Sequence, residues 1–199
     1  SDGMIDVDGT EGRLLGKWRL NGVKLQTEAA SVALQDVECD WDPFRLLSKE
    51  LHLLDVSVKG LDVVLLDSGG ETKDNSQERI TLPEIAVPVG IIVGRFELNR
   101  AVIRQKGADT ELLAVDSLFL ALSAHGDRIS VEDLQLQTPE YAVTLRGKVQ
   151  FADDWPVSVA GEYRLHQEGV ADVRGALSLS GSLEAPEADV EILEPVHVR

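Results

Sequence analysis

The chain has 199 residues, 43% of them hydrophobic and 27% charged, which is enough apolar material for one folded architecture and too much for wholesale disorder. Its 35 acidic side chains outnumber 19 basic ones, and the net charge of −16 repels nucleic acid and anionic membrane surfaces, so nucleic-acid binding is not expected. Cys39 is the single cysteine, which excludes an internal disulfide and a cysteine-ligated zinc site.

The first residues, "SDGMIDVDG", have neither a basic n-region nor an apolar h-region, so a secretion signal is expected to be absent or already removed. Further on, "LLGKW" (Leu14 to Trp18) is the first of several elements of the form apolar, any, Gly, any, apolar. Period-two alternation then begins, but it slips by one residue between Leu34 and Val37 and again at Leu53 and Leu54. A bulge is expected at each slip, because side-chain period is two and an uncorrected slip would turn the apolar set to the other face. Asp36, Glu38, Asp40 and Asp42 alternate with Val37, Cys39 and Trp41, and are read as a solvated face rather than a calcium site. In "DWDPFRLLSKE", Asp42 can cap and Pro43 suits the first helical position, predicting one short helix near residues 43–49. Its Phe44, Leu46 and Leu47 are expected to plug against the sheet.

The segment Asp67 to Arg79 is polar, glycine-rich and without apolar anchors, which predicts a mobile loop. It divides the chain into residues 1–66, a β segment with the helical plug, the loop 67–79, and residues 80–199, which continue the same elongated domain. The longest uncharged stretch, Ile85 to Gly94, is too short to cross roughly 30 Å of hydrocarbon, so no membrane span is expected.

Downstream the alternation is cleaner. Leu118, Leu120 and Leu122 form one run, "HGD" at His125 to Asp127 signals a hairpin, and Ile129, Val131, Leu134 and Leu136 follow with a slip after Val131. Three further segments repeat one design: Tyr141, Val143, Leu145, Val149 and Phe151; Val157, Val159, Tyr163 and Leu165; and Val173, Leu177, Leu179 and Leu183. Gly161, Gly175 and Gly181 hold same-face positions, and "LRGKV", "VAGEY" and "VRGAL" continue the weak glycine repeat. Turn-like joints separate strands of about ten residues or more. The fold class is therefore all-β: long antiparallel, stacked strands forming one elongated sheet.

No residues form a recognisable catalytic set. His52, His125, His166 and His197 stand far apart, Cys39 has no local histidine to activate it, and no phosphate-binding loop or nucleophile elbow appears. The expectation is a protein that is not an enzyme, with no cofactor and no metal. Its apolar face is the remaining feature, and on sequence grounds the first reading is a sandwich or barrel core.

Three motifs in Gly9 to Leu66 carry a resemblance: Gly12, Leu14 and Gly16; Asp40 to Pro43 with Leu46 and Leu47; and "LHL" at Leu51 to Leu53 followed by "VKGLDVVL". This third of the chain resembles the N-terminal region of the TamB family, inner-membrane components of the translocation and assembly module. "LSLSGSLEAPEADVEI" (Leu177 to Ile192) is similar to strand units shared across the AsmA-like superfamily. The resemblance implies a periplasmic sheet curled into a groove (a β-taco), part of an inner-membrane-anchored protein of a Gram-negative bacterium, this stretch being soluble. It implies a bridge whose groove conducts phospholipids between the two membranes and supports outer-membrane biogenesis, with a TamA-like outer-membrane partner engaged through the full-length protein.

On that reading the residues lining a lipid groove are Leu118, Leu120, Leu122, Tyr141, Val143, Leu145, Val149, Phe151, Val157, Val159, Tyr163, Leu165, Leu177, Leu179 and Leu183, with the hydroxyls of Tyr141 and Tyr163 at a rim. The alternative is a scaffold or chaperone that binds outer-membrane β-barrel or autotransporter proteins by strand addition.

Overall fold

A computed structural model describes residues 4–13, 15–27, 29–66, 87–107, 111–151, 154–166, 172–182 and 185–195. Eleven strands run in chain order: β1 (Met4–Gly12), β2 (Trp18–Gln26), β3 (Ala30–Asp42), β4 (Glu50–Leu65), β5 (Val87–Gln105), β6 (Glu111–Gly126), β7 (Arg128–Gln137), β8 (Tyr141–Gln150), β9 (Pro156–Leu165), β10 (Val173–Ser182) and β11 (Pro186–Pro195). They form one sheet in which every strand lies beside its sequence neighbours, with β1 and β11 outermost among the described strands. At the usual strand spacing the sheet extends roughly 48 Å along its hydrogen-bonding direction.

All pairings are antiparallel except β4 with β5, which is parallel. Alternation of residue type gives the strands but not their relative direction, so this inversion was not legible. A parallel neighbour requires a connection that returns along the strand length, and the polar segment 67–79 lies within the intervening chain, outside the described residues.

One face of the sheet is apolar from β2 to β11. The registers align Trp18, Cys39, Val56, Phe96, Leu120, Leu134, Leu145, Gly161, Leu177 and Val190 in a single row across ten strands. A second row runs parallel to it through Leu20, Val37, Val58, Leu98, Leu118, Leu136, Val143, Tyr163, Gly175 and Ile192.

The phase slips are of two kinds. At Leu53/Val56 and Val131/Leu134 the ladder register shifts, as expected of bulges. The slip at Leu34/Val37 is different: no register shift accompanies it, because β2, β3, β4 and β5 all skip in step. Gly22, Gly60 and Arg100 occupy this line with φ of 61°, 63° and 62°, a left-handed geometry that reverses side-chain parity without an extra residue. Side chains of the opposing strands lie over the glycines: Asp8 over Gly22, and Gln35 over Gly60. The result is a crease across the sheet, beyond which Leu34, Leu61 and Ala101 take over the apolar row.

Pro43–Ser48 is a 3-10 helix, started by Asp42 accepting from the Phe44 amide and ended at Lys49, which is left-handed at φ 58°. The expected plug is corrected: Phe44 is 78% and Leu47 87% exposed, and the helix buries no residue. A six-residue helix between adjacent strands projects from the rim, too short to fold back over the sheet.

Candidate functional site: an uncovered apolar face

The substantial packing among described residues is between neighbouring strands and between β4 and the 3-10 helix, and no large side chain is fully buried. Cys39, Leu98, Ala101, Ala124 and Val157 are the most enclosed apolar residues. All lie on the apolar face, while residues that alternate with it on β8 and β9, such as Thr144, Arg146, Ser158 and Glu162, are exposed. The apolar face is thus the sheltered side of a curled sheet, and among the described residues no second sheet closes over it as in a sandwich.

Most of the residues expected to line a groove are brought together. Leu118, Leu120 and Leu122 on β6, Val143, Leu145 and Val149 on β8, Val157, Val159 and Tyr163 on β9, and Leu177 and Leu179 on β10 share the apolar face. Tyr141 opens β8 opposite Leu165 at one rim. Tyr163 sits further inside: its ring and hydroxyl lie over Gly175. Phe151 falls just past β8, where its amide donates to the Asp127 carbonyl and its ring meets Trp155 edge-on at 4.5 Å. Leu183 lies outside the described residues.

Three glycines let these side chains overlap. Val159 lies over Gly147, Leu145 over Gly161 and Tyr163 over Gly175, a diagonal through β8, β9 and β10. Each glycine removes a side chain where a large neighbour leans across, so the strands can bend towards the apolar side without a clash.

Reading the sequence from its downstream half missed the upstream continuation of the face, namely Trp18, Leu20, Val37, Cys39, Val56, Phe96 and Leu98. The signal was present as the same period of two, interrupted by the crease.

The opposite face is polar and partly organised by ion pairs. Arg19 donates to both carboxylate oxygens of Asp36, at 2.8 and 2.6 Å, and Lys59 approaches the same carboxylate at 3.7 Å. Asp36 is therefore only 9% exposed, which corrects its reading as part of a solvated face. Those hydrogen bonds, and then the Asp36 charge, raise the Arg19 pKa further above its ordinary value. Two hollows of about 240 and 470 Å³ also open on this side, lined largely by polar residues such as Glu97, Ser117 and Gln135 in one and Thr144, Glu162 and Arg174 in the other. Among the expected lining residues, only Leu118, Val143 and Tyr163 reach them.

No cluster of three or more His, Cys, Asp or Glu suited to a metal occurs among the described residues. His125 faces Glu50 at 3.8 Å, and His166 Nδ1 lies 2.7 Å from Asp172, so neither joins another histidine. Cys39 is 6% exposed, and burial first, then Asp40 and Asp55, raises its thiol pKa, the opposite of what a nucleophile needs. No helix among the described residues is long and apolar enough to cross a membrane.

An open, curled sheet with one apolar face defines the class: an elongated all-β protein in which no second layer covers that face among the described residues. Within that class the chain belongs to the TamB family, for the model of the TamB N-terminal domain matches residues 3–112 and 67–199, together nearly its whole length. The family is one of bacterial envelope proteins. No curated protein and no solved structure shows a significant match to the chain.

Proposed function

We propose that this chain is a segment of a periplasmic, inner-membrane-anchored bridge that carries phospholipids between the inner and outer membranes, holding their acyl chains on the apolar face. The carrying observation is the pair of apolar rows running across ten strands with no opposing layer among the described residues. Aliphatic side chains there offer acyl chains a nonspecific surface, each buried methylene contributing about 0.8 kcal/mol, while headgroups stay in water at the open side. Transfer requires no bond to be made or broken, so the reading is non-enzymatic and needs no cofactor. A TamA-like outer-membrane protein is the partner expected of the full-length protein.

The test is native mass spectrometry of gently purified protein, with organic extraction of what co-purifies. Bound phospholipid that disappears in Leu145→Glu supports the conduit; an empty protein with a lipid-independent melt refutes it.

A second reading, strand addition to unfolded outer-membrane proteins, draws on the exposed Ile5, Val190 and Ile192 of the outermost described strands, β1 and β11. Deuterium exchange separates the two readings: strand addition protects β1 or β11 amides, lipid binding does not.

A further inference from the structure

At one rim of the sheet the turns joining β1 to β2 and β3 to β4 stand side by side, since Trp18 pairs with Cys39 and Asp42 with His52. Their apolar side chains are among the most exposed in the molecule: Leu15 at 72%, Phe44 at 78% and Leu47 at 87%. The 3-10 helix presents two of these on a defined scaffold. Asp42 Oδ1 accepts from the Phe44 amide at 3.0 Å, Pro43 fixes the first position, and the Lys49 amide closes back on Leu46 O at 3.0 Å. Four cations, Arg13, Lys17, Arg45 and Lys49, belong to the segments 13–17 and 43–49, which contain no carboxylate. The ion pairs they make are partly exposed, Lys17 with Glu38 at 3.2 Å and Arg45 with Glu50 at 3.4 Å and with Asp42 at 4.0 Å, and partly exposed pairs of this kind contribute little and can exchange for another anion. At the same rim the other turns carry Asp127 and Asp154 instead. In a chain of net charge −16, these two turns bring exposed apolar tips together with four cations, of which Lys17 and Arg45 are paired to Glu38, Asp42 and Glu50 behind them.

We propose that these turns seat on an anionic lipid bilayer, with Leu15, Phe44 and Leu47 entering the headgroup boundary and the cations meeting lipid phosphates. Apolar side chains flanked by Lys and Arg are the composition that binds such an interface. The protein's overall negative charge does not forbid it: at 0.1 M salt the screening length is about 10 Å, so carboxylates on distant strands hardly reach the contact. The contact orients the sheet with this rim against the membrane. It is separate from the conduit reading, because it uses none of the apolar rows.

The experiment is flotation of the full chain with vesicles of phosphatidylglycerol in phosphatidylcholine, against phosphatidylcholine alone. The chain is expected to float with the anionic vesicles and to be released by salt. Leu15→Ser/Phe44→Ser/Leu47→Ser should abolish flotation while leaving the thermal melt intact, since these side chains are exposed. Arg13→Gln and Lys49→Gln should each weaken anionic binding roughly fivefold. Leu145→Glu should float like the parent. The proposal is overturned if the parent does not float, if the triple variant floats equally well, or if Leu145→Glu alone prevents flotation, which would put the lipid contact on the apolar face. Photo-crosslinking from position 47 to an envelope protein, without flotation, would also overturn it and make the turns a protein dock.

Discussion

Replacing Leu145 with glutamate separates an open face from a closed core. Leu145 lies in the middle of β8, partly buried, opposite Leu134 on β7 and Gly161 on β9, with Cδ2 over the glycine. Removing its apolar contacts costs about 2 kcal/mol of burial. On a face open to water the new carboxylate swings outward and keeps its hydration, so little is added. In a closed core the same carboxylate would be buried without a partner, which costs several kcal/mol more and would consume much of the 5–15 kcal/mol typical of whole-protein stability, an order-of-magnitude range. Ser158→Glu is the internal control, because Ser158 is exposed on the opposite face opposite Lys148 and its change should stay within about 0.5 kcal/mol. Urea denaturation followed by tryptophan fluorescence reads both. A loss of about 2 kcal/mol at 145, with a cooperative transition and unchanged far-ultraviolet circular dichroism, is the expected result. A loss above about 4 kcal/mol, or failure to fold, would refute the open face.

Gly60→Ala should cost about 1–2 kcal/mol from left-handed strain, with a further loss from displacing Gln35 that is recovered in Gln35→Gly/Gly60→Ala; equal costs in both backgrounds would sink the contact argument. Gly175→Ala places a methyl against the Glu191 carbonyl and the Tyr163 ring, so it should cost about 1–3 kcal/mol and speed hydrogen exchange in β11 more than in β8. Cys39 should react with a disulfide reagent far more slowly in the folded protein than in urea. With the folded thiol pKa raised above its ordinary 9.0, the unfolded chain ionises first, so the contribution of Cys39 to stability holds below that pH and falls as pH rises past it. A urea midpoint that drops no faster between neutral and alkaline pH in the parent than in Cys39→Ala would count against this.

The strands were legible because a half-sheltered sheet imposes a period of two that survives almost every local irregularity. Downstream, where β8, β9 and β10 each keep a clean alternation, most of the residues named from sequence share one face. Upstream it faltered for a physical reason: Gly22, Gly60 and Arg100 reverse parity through the backbone, and nothing in an amino-acid string distinguishes a left-handed arginine from an ordinary one. The helix at Pro43 was signalled by its cap, but its packing was not, since Phe44, Leu46 and Leu47 have the composition of a core and the position of a surface. Asp36 illustrates the converse, a carboxylate sheltered because Arg19 and Lys59 reach it from the two neighbouring strands.

A sheet with an uncovered apolar face has two hazards, collapse of that face onto another copy and pairing of its outermost strands. The outermost described strands are acidic. β1 presents Asp6, Asp8 and Glu11, and β11 presents Glu187, Asp189 and Glu191, all exposed. Strand pairing between copies, whether β1 with β11 or either edge with itself, would therefore set carboxylate against carboxylate. An added strand would be accepted best if it brought cations to these positions and apolar residues to Val190 and Ile192. That sets a condition on the strand-addition reading which the conduit reading does not share: a client strand of matching charge must compete for β11, and at high salt its preference over a neutral strand must vanish. Lipid held on the apolar rows would show no such dependence, because acyl chains bring no charge to Leu145, Val159 or Leu177.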